Sequence, residues 1–157
     1  MILGDDYVLC EINRVFGSIP KPEHFTNYLH CEECAEHDEL LRSRDCSTLR
    51  IDDVGNPGWD PLCFTSPEGI GYFMPALAKL ALDTPSDTYS WYGDQLLFHL
   101  FSGAEHNGFF QYCDSAQRKA IALLLTHFIE TRFGLQEFAT DEDDLLRAHE
   151  LWSVVAR

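Results

Sequence analysis

The sequence predicts an all-α fold, a compact irregular bundle of about five or six helices with one long irregular segment over about 45–66. Apolar residues recur at spacings of three and four in several stretches, which is typical of amphipathic helices. Helix caps and breakers flank these stretches. No stretch alternates apolar and polar residues between hairpin signals, so strands are at most a minor addition. The 157 residues fit a single globular domain over 1–157.

The first two helices are expected near the N-terminus. Val8, Ile12 and Phe16 belong to an apolar stripe that predicts a helix from Asp5 to about Phe16, and Gly17 ends it. A second helix is expected over 32–44 from its Ala, Glu and Leu content, although it has few apolar residues.

A central core helix is expected from Pro67 to about Leu82. Ser66 is a good N-cap, and Pro67 suits the first helical position. The second half of this helix, residues 76–82, is nearly all apolar and should be buried. Pro75 lies inside the helix, which predicts a kink or a break there.

Three more helices are expected in the C-terminal half. The first is predicted over 89–101. The second should start at a capping box formed by Asp114 and Gln117 and run to about Gly134. The third should start after an N-cap at Thr140, because four acidic residues follow it on the first turn. The apolar face of the last helix is predicted to comprise Leu145, Ala148, Trp152 and Val155. Between the second helix and the core helix, glycines and prolines predict turns, with Trp59, Leu62 and Phe64 pinning the segment against the core.

The charge of the chain restricts its partners. Twenty-six acidic residues against eleven basic ones give a net charge of -15, which repels nucleic acid and anionic membrane surfaces and favours a basic protein partner. The first residues lack the basic and apolar regions of a secretory signal, so a cytoplasmic location is expected. In that compartment the six cysteines are expected to be reduced thiols or metal ligands.

The stretch from His30 to Asp38 has a density of potential metal ligands found nowhere else in the chain. On a helix, His30, Cys34 and His37 would share one face with Leu41, and this face should be at least partly buried. The simpler interpretation is a buried face without metal. The alternative is a zinc site in which His30, Cys31, Cys34 and His37 supply the ligands.

Helix geometry limits how many of these four residues can bind one ion. His30 and His37 would lie roughly 10 Å apart along a straight helix. All four can meet only if the backbone departs from helix near Cys31, so two or three local ligands are expected. The candidates for a remote ligand are Cys46, Cys63, His106 and Cys113.

Other chemical interpretations are less favoured by the sequence. A Cys31/Cys34 redox pair needs a lowered thiol pKa, and the acidic residues between Glu32 and Glu39 oppose it. His99 is expected to be a core histidine satisfied by a backbone carbonyl. Asp60 follows a turn and is expected to cap it for local reasons.

Several motifs together resemble a family of small bacterial proteins of unknown function. They are His-Cys-x-Glu-Cys-Ala-Glu-His over 30–37, Asn-Pro-Gly-Trp-Asp-Pro over 56–61, Gly-Tyr-Phe-Met-Pro-Ala-Leu-Ala over 71–78 and Gln-Leu-Leu-Phe-His-Leu over 95–100. The resemblance covers residues 30–130. It implies a bacterial origin and a compact domain, and it brings no activity or catalytic residue.

Two functions of different classes are therefore predicted. The first is a non-enzymatic module that binds a basic protein, as an immunity protein, antitoxin or adaptor does, through an acidic surface. The second is a zinc-dependent hydrolase or zinc-stabilised domain that uses the His30–His37 cluster, with Glu33 or Glu36 acting on a zinc-bound water in the hydrolase. No catalytic signature favours an enzyme.

Overall fold

The computed structural model describes residues 3–137 and 139–154, and these form an all-α fold. Six of its helices have ten or more residues, in agreement with the predicted number, and α3 and α6 are short. The helices are α1 Asp5–Phe16, α2 Glu32–Arg42, α3 Ile51–Val54, α4 Pro67–Leu82, α5 Tyr92–Phe101, α6 Gly108–Tyr112, α7 Ser115–Thr131 and α8 Glu142–Ser153. In the described residues, extended pairing is limited to one isolated bridge between Thr26 and Thr65.

Helix α4 is the central helix of the core, as predicted. It packs against α1, α5 and α6. Ser66 Oγ accepts a hydrogen bond from Gly69 N at 3.1 Å and so caps the helix, which starts at Pro67. The helix continues through Pro75, so a break there is ruled out. Buried residues on both sides of the proline, Met74 and Ala76 among them, hold the two halves in one packed element.

Helices α1, α7 and α8 complete the bundle, with α7 packed between the other two. The predicted capping box at Asp114 and Gln117 is present. Helix α8 is capped by Asp141, which accepts from Asp144 N at 2.8 Å, and the predicted cap at Thr140 is wrong. Thr140 is hydrogen-bonded to Asp94 instead. Leu145, Ala148 and Trp152 are buried as predicted, and Val155 lies outside the described residues.

The segment between α2 and α4 consists of turns, the short α3 and two 3-10 turns, Pro57–Trp59 and Pro61–Phe64. Leu62 is buried and anchors the segment as predicted. The prediction is wrong for the other two anchors, because Trp59 and Phe64 are 43% and 42% exposed. Their rings pack on the His37 imidazole of α2 at the surface rather than on the core.

The remaining differences are small. Helix α5 begins at Tyr92, three residues later than expected, because Trp91 precedes it and donates from Nε1 to Ala81 O at 2.7 Å. Helix α2 ends at Arg42 and α7 at Thr131. Among the described residues, no helix has the length and apolar content needed to cross a bilayer.

Candidate functional site

The first turn of α2 determines how the His30–His37 stretch is arranged. The helix begins at Glu32, and Cys31 is its N-cap with an extended backbone at φ -163° and ψ 172°. Cys31 Sγ accepts a hydrogen bond from Cys34 N at 3.4 Å. The backbone therefore leaves the helical path at Cys31, and this turns His30 and Cys31 back towards Cys34.

His30, Cys31 and Cys34 form a surface cluster of three metal-ligating side chains. One ligand atom from each lies within 4.8 Å of the other two. His30 Nδ1 is 3.7 Å from Cys34 Sγ. His30 and Cys31 are exposed, whereas Cys34 is 5% exposed and belongs to the buried face of α2. The cluster thus has a fixed inner ligand and two outer ligands open to solvent.

The two thiols of the cluster differ in acidity. A hydrogen bond from the Cys34 backbone N–H, and then the interaction with His30, lower the pKa of Cys31. The neighbouring Cys31 thiol and burial raise the pKa of Cys34. The sequence predicted that the acidic residues between Glu32 and Glu39 oppose a lowered thiol pKa, and this prediction is wrong for Cys31. A thiolate is the form of cysteine that binds metal and attacks disulfides.

His37 lies apart from this cluster. Its side chain is 1% exposed, and Nε2 donates to Glu33 Oε2 at 3.2 Å. Its ring stacks on Phe64 with centroids 5.2 Å apart and contacts Trp59 at 4.6 Å. Its Nδ1 is buried without a hydrogen-bond partner. The structure therefore brings together three of the four predicted ligands and uses His37 for packing.

The burial predicted for the α2 face is confirmed for three of its four residues. Cys34, His37 and Leu41 are buried, and His30 is exposed because it precedes the helix.

The predicted remote ligands are not part of the cluster. Cys46 Sγ donates to Tyr72 O at 3.1 Å. Cys113 is 3% exposed within the apolar core. His106 is exposed beside Glu105. Cys63 belongs to a second cluster.

This second cluster joins Asp60, Cys63 and His99, whose ligand atoms also lie within 4.8 Å of one another. Asp60 caps the Pro61–Phe64 turn by accepting from Leu62 N at 2.9 Å, and this turn carries Cys63. His99 lies on α5 and donates from Nε2 to Asp60 Oδ2 at 2.7 Å. Gln95, one turn earlier on α5, donates to the same oxygen at 3.0 Å.

His99 is buried, as the sequence predicted. The predicted hydrogen-bond partner is wrong, because the ring is bonded to the buried carboxylate of Asp60 and not to a backbone carbonyl. The Asp60 side chain is 3% exposed and the His99 side chain 5%. Burial, and then the charges of Asp60 and Glu33, raise the pKa of the Cys63 thiol. The sequence around Asp60 predicts only an Asp-Pro-Leu-Cys turn. Nothing in that turn indicates that Asp60 is hydrogen-bonded to a histidine 39 residues away.

Comparison of the whole chain with protein-family models, with curated proteins and with solved structures gives no match.

Proposed function

We propose that this protein is a zinc-stabilised protein-binding module whose metal ion is bound by His30, Cys31 and Cys34. The observation that carries the proposal is the convergence of two thiols and one imidazole at the start of α2. Zinc binds Cys and His in tetrahedral sites, with Zn–S near 2.3 Å and Zn–N near 2.0–2.1 Å, so neighbouring ligand atoms lie about 3.5–3.8 Å apart. The 3.7 Å separation of His30 Nδ1 and Cys34 Sγ fits this spacing.

Zinc at this position would join the segment before α2 to the first turn of the helix. His30 and Cys31 precede the helix, and Cys34 is part of it. A bond from one ion to all three residues would fix the chain before α2 in its present direction. Three protein ligands leave the fourth position of the ion for water or for a group from a partner.

A stabilising role is favoured over hydrolysis because the carboxylate of Glu33, one of the two candidate bases, already has a hydrogen-bond partner. Glu33 Oε2 accepts from His37 Nε2 at 3.2 Å, which turns this carboxylate towards the aromatic side chains. Glu36 is exposed on α2. A hydrolytic site needs a base within hydrogen-bond reach of the zinc-bound water.

Metal analysis of protein purified without a chelator tests the site. We expect about one equivalent of zinc, loss of the ion in Cys31→Ser, Cys34→Ser and His30→Ala, and retention in Cys10→Ser, whose cysteine is exposed on α1. Cobalt substitution should give the absorption of a tetrahedral thiolate complex. Less than about 0.2 equivalent of zinc in the wild-type protein would rule out the site, because structural zinc binds tightly.

We propose that the binding surface for a basic partner lies beside α2. Trp59 and Phe64 both contact the His37 ring and are each about two-fifths exposed. The Glu33 carboxylate, which is hydrogen-bonded to His37, is 41% exposed. Exposed aromatic rings next to a carboxylate suit arginine and lysine side chains, which bind through cation–π contacts and ion pairs. The net charge of -15 favours encounter with a basic partner.

Calorimetric titration with an arginine-rich peptide tests this surface. Binding should weaken as salt is raised, since exposed ion pairs are screened. Trp59→Ala should weaken binding by about tenfold, and Tyr7→Ala, which removes a 52% exposed ring on α1, should leave it unchanged. If Trp59→Ala and Tyr7→Ala lose affinity equally, or if the affinity does not depend on salt, this surface is not the binding site.

A further inference from the structure

We propose that Asp60, Cys63 and His99 form a second metal site, which binds a divalent transition-metal ion such as zinc beside a surface groove. The site lies outside the cluster at the start of α2 and uses none of its residues. Its ligands come from α5 and from the 3-10 turn that Asp60 caps.

The three ligand atoms of this site lie close together. The Cys63 sulfur, a carboxylate oxygen of Asp60 and a ring nitrogen of His99 are all within 4.8 Å of one another. His99 Nε2 is 2.7 Å from Asp60 Oδ2. Zinc bonds of about 2.0–2.3 Å in a tetrahedral complex place neighbouring ligand atoms about 3.3–3.8 Å apart, so the nitrogen and the oxygen have to separate by only about 0.6 Å to admit the ion.

The metal ion would take the place of the proton between His99 and Asp60. His99 Nε2 now donates this proton to the carboxylate, and a ligating imidazole carries its proton on the other ring nitrogen instead. The Cys63 thiol also has to lose its proton, because the thiolate is the form of cysteine that binds metal. We therefore expect the site to bind metal more weakly than the cluster at the start of α2 and to fill when metal is added to the purified protein.

Neighbouring groups hold Asp60 and His99 in position. Asp60 Oδ1 accepts a hydrogen bond from Leu62 N at 2.9 Å, and Oδ2 accepts one from Gln95 Nε2 at 3.0 Å. The backbone carbonyl of His99 accepts from Asn107 Nδ2 at 2.8 Å. Metal-ligating carboxylates are typically held by such additional hydrogen bonds, so two of the three ligands need little reorganisation.

The charge around the site favours a cation. The Asp60 side chain is 3% exposed. Within the part of the chain that the structure describes, no lysine or arginine lies within 4.0 Å of this carboxylate. Glu33 adds a second negative charge near Cys63. Since buried charges are normally paired or bound to metal, a divalent ion would supply the positive charge that the Asp60 carboxylate lacks when His99 is neutral.

The donor set and the groove indicate the kind of ion and its environment. A thiolate, an imidazole and a carboxylate together suit zinc and cobalt rather than magnesium or calcium, which prefer oxygen ligands. Cys63 is exposed, and it lines a groove of about 470 Å³ together with His99. Three protein ligands leave a fourth position on the ion, and the groove has room for water or a small ligand there.

Cobalt titration of a full-length Cys31→Ser/Cys34→Ser variant tests the second site, because this variant lacks the thiols of the first cluster. Cobalt reports a thiolate ligand through a sulfur-to-metal absorption band. We expect about one equivalent of cobalt to bind with this band and zinc to displace it. Adding Cys63→Ser should abolish the band, and adding Cys10→Ser, which changes an exposed cysteine on α1, should leave it unchanged.

Two results of this titration would overturn the proposal. One is the absence of the band in excess cobalt, and the other is a band that survives Cys63→Ser. Neither result bears on zinc at the start of α2, which is measured in the protein that keeps Cys31 and Cys34.

The other two ligands are tested by His99→Gln and Asp60→Asn, each of which should weaken cobalt binding at least about tenfold. Unchanged affinity in a folded variant would overturn the proposal. Because both changes can destabilise the fold, nitrogen NMR of the histidines in the Cys31→Ser/Cys34→Ser protein provides a measurement without them. Zinc should shift the His99 Nε2 resonance and move the ring proton to Nδ1, and a His99 ring that keeps its Nε2 proton in excess zinc would overturn the proposal.

Discussion

His99 Nε2 and Asp60 Oδ2 are 2.7 Å apart and join α5 to the turn at Pro61–Phe64. Both side chains are almost completely buried. The carboxylate also serves Gln95 and the backbone of Leu62, so one side chain satisfies three donors at this junction. The junction therefore stabilises the contact between α5 and this turn.

Asp60→Ala should destabilise the protein by about 3 kcal/mol, because it leaves buried donors of His99 and Gln95 without an acceptor. Urea unfolding at neutral pH measures the change. The matched control is Asp52→Ala on α3, an exposed aspartate in the same segment, which should shift the free energy of unfolding by less than about 0.5 kcal/mol. Equal effects in the two variants would show that the Asp60 network contributes nothing specific.

The Asp38 carboxylate should make stability depend on acid pH. Burial raises its pKa, but hydrogen bonds from His24 and from the backbone N–H groups of Phe25 and Thr26 lower the pKa by more, so the net shift is downward. Because its pKa is lowered in the folded protein, the Asp38 carboxylate stabilises the fold fully above the usual aspartate pKa of about 3.9. This stabilisation is lost as the pH falls through the pKa that Asp38 has in the folded protein.

Asp38→Asn should therefore lower the free energy of unfolding by about 2 kcal/mol at pH 7, and this loss should become smaller as the pH is lowered below about 4. Unfolding in urea at a series of pH values measures it. Glu39→Gln, an exposed neighbour on the same helix, should show neither the cost nor the pH dependence. A difference between wild type and Asp38→Asn that grows towards acid would contradict the sign derived from the pKa shift.

Local features of this chain were predictable, and contacts between distant segments were not. The bounds of α1 and the Asp114/Gln117 capping box depend on residues a few positions apart. The His30, Cys31 and Cys34 cluster lies within five residues, so local geometry could predict it. All four ligands were predicted to meet only if the backbone left the helix near Cys31; the bend is present, and it brings three of them together. Which residues belong to the cluster depends on the residue at which α2 begins, and helix propensity does not locate that residue exactly.

The Asp60–His99 pair and the position of the His37 ring depend on how distant elements meet. Asp60 is 39 residues from His99, and neither residue carries a periodic signal that indicates the other. Trp59 and Phe64 were predicted to enter the core because large aromatic residues are usually buried. They cover His37 instead, since the two 3-10 turns place them over α2.

His37→Phe should retain zinc binding and change the free energy of unfolding by less than about 1 kcal/mol. The phenyl ring can keep the stacking on Phe64 and the tilted contact with Trp59. The change removes a buried Nδ1 that has no partner and loses the hydrogen bond to the part-exposed Glu33. Zinc stoichiometry and thermal melting of the variant measure both effects. Loss of zinc in His37→Phe, with the fold intact, would restore the four-ligand interpretation of the stretch.

Gly93→Ala should destabilise the protein by about 3 kcal/mol. Gly93 is the second residue of α5, and a Cβ there would meet the Trp91 ring at 2.1 Å. Trp91 cannot move aside easily, because it is 3% exposed and its Nε1 donates to Ala81 O.

The matched control is Gly108→Ala at the first residue of α6, where the nearest atom to a new Cβ is Pro67 Cγ at 3.5 Å, an ordinary contact. We expect Gly108→Ala to be neutral or stabilising by up to about 1 kcal/mol, since alanine lowers the entropy of the unfolded chain. Thermal and urea unfolding of the two variants measure the contrast. A Gly93→Ala protein as stable as Gly108→Ala would mean that Trp91 does not pack against the start of α5 as described.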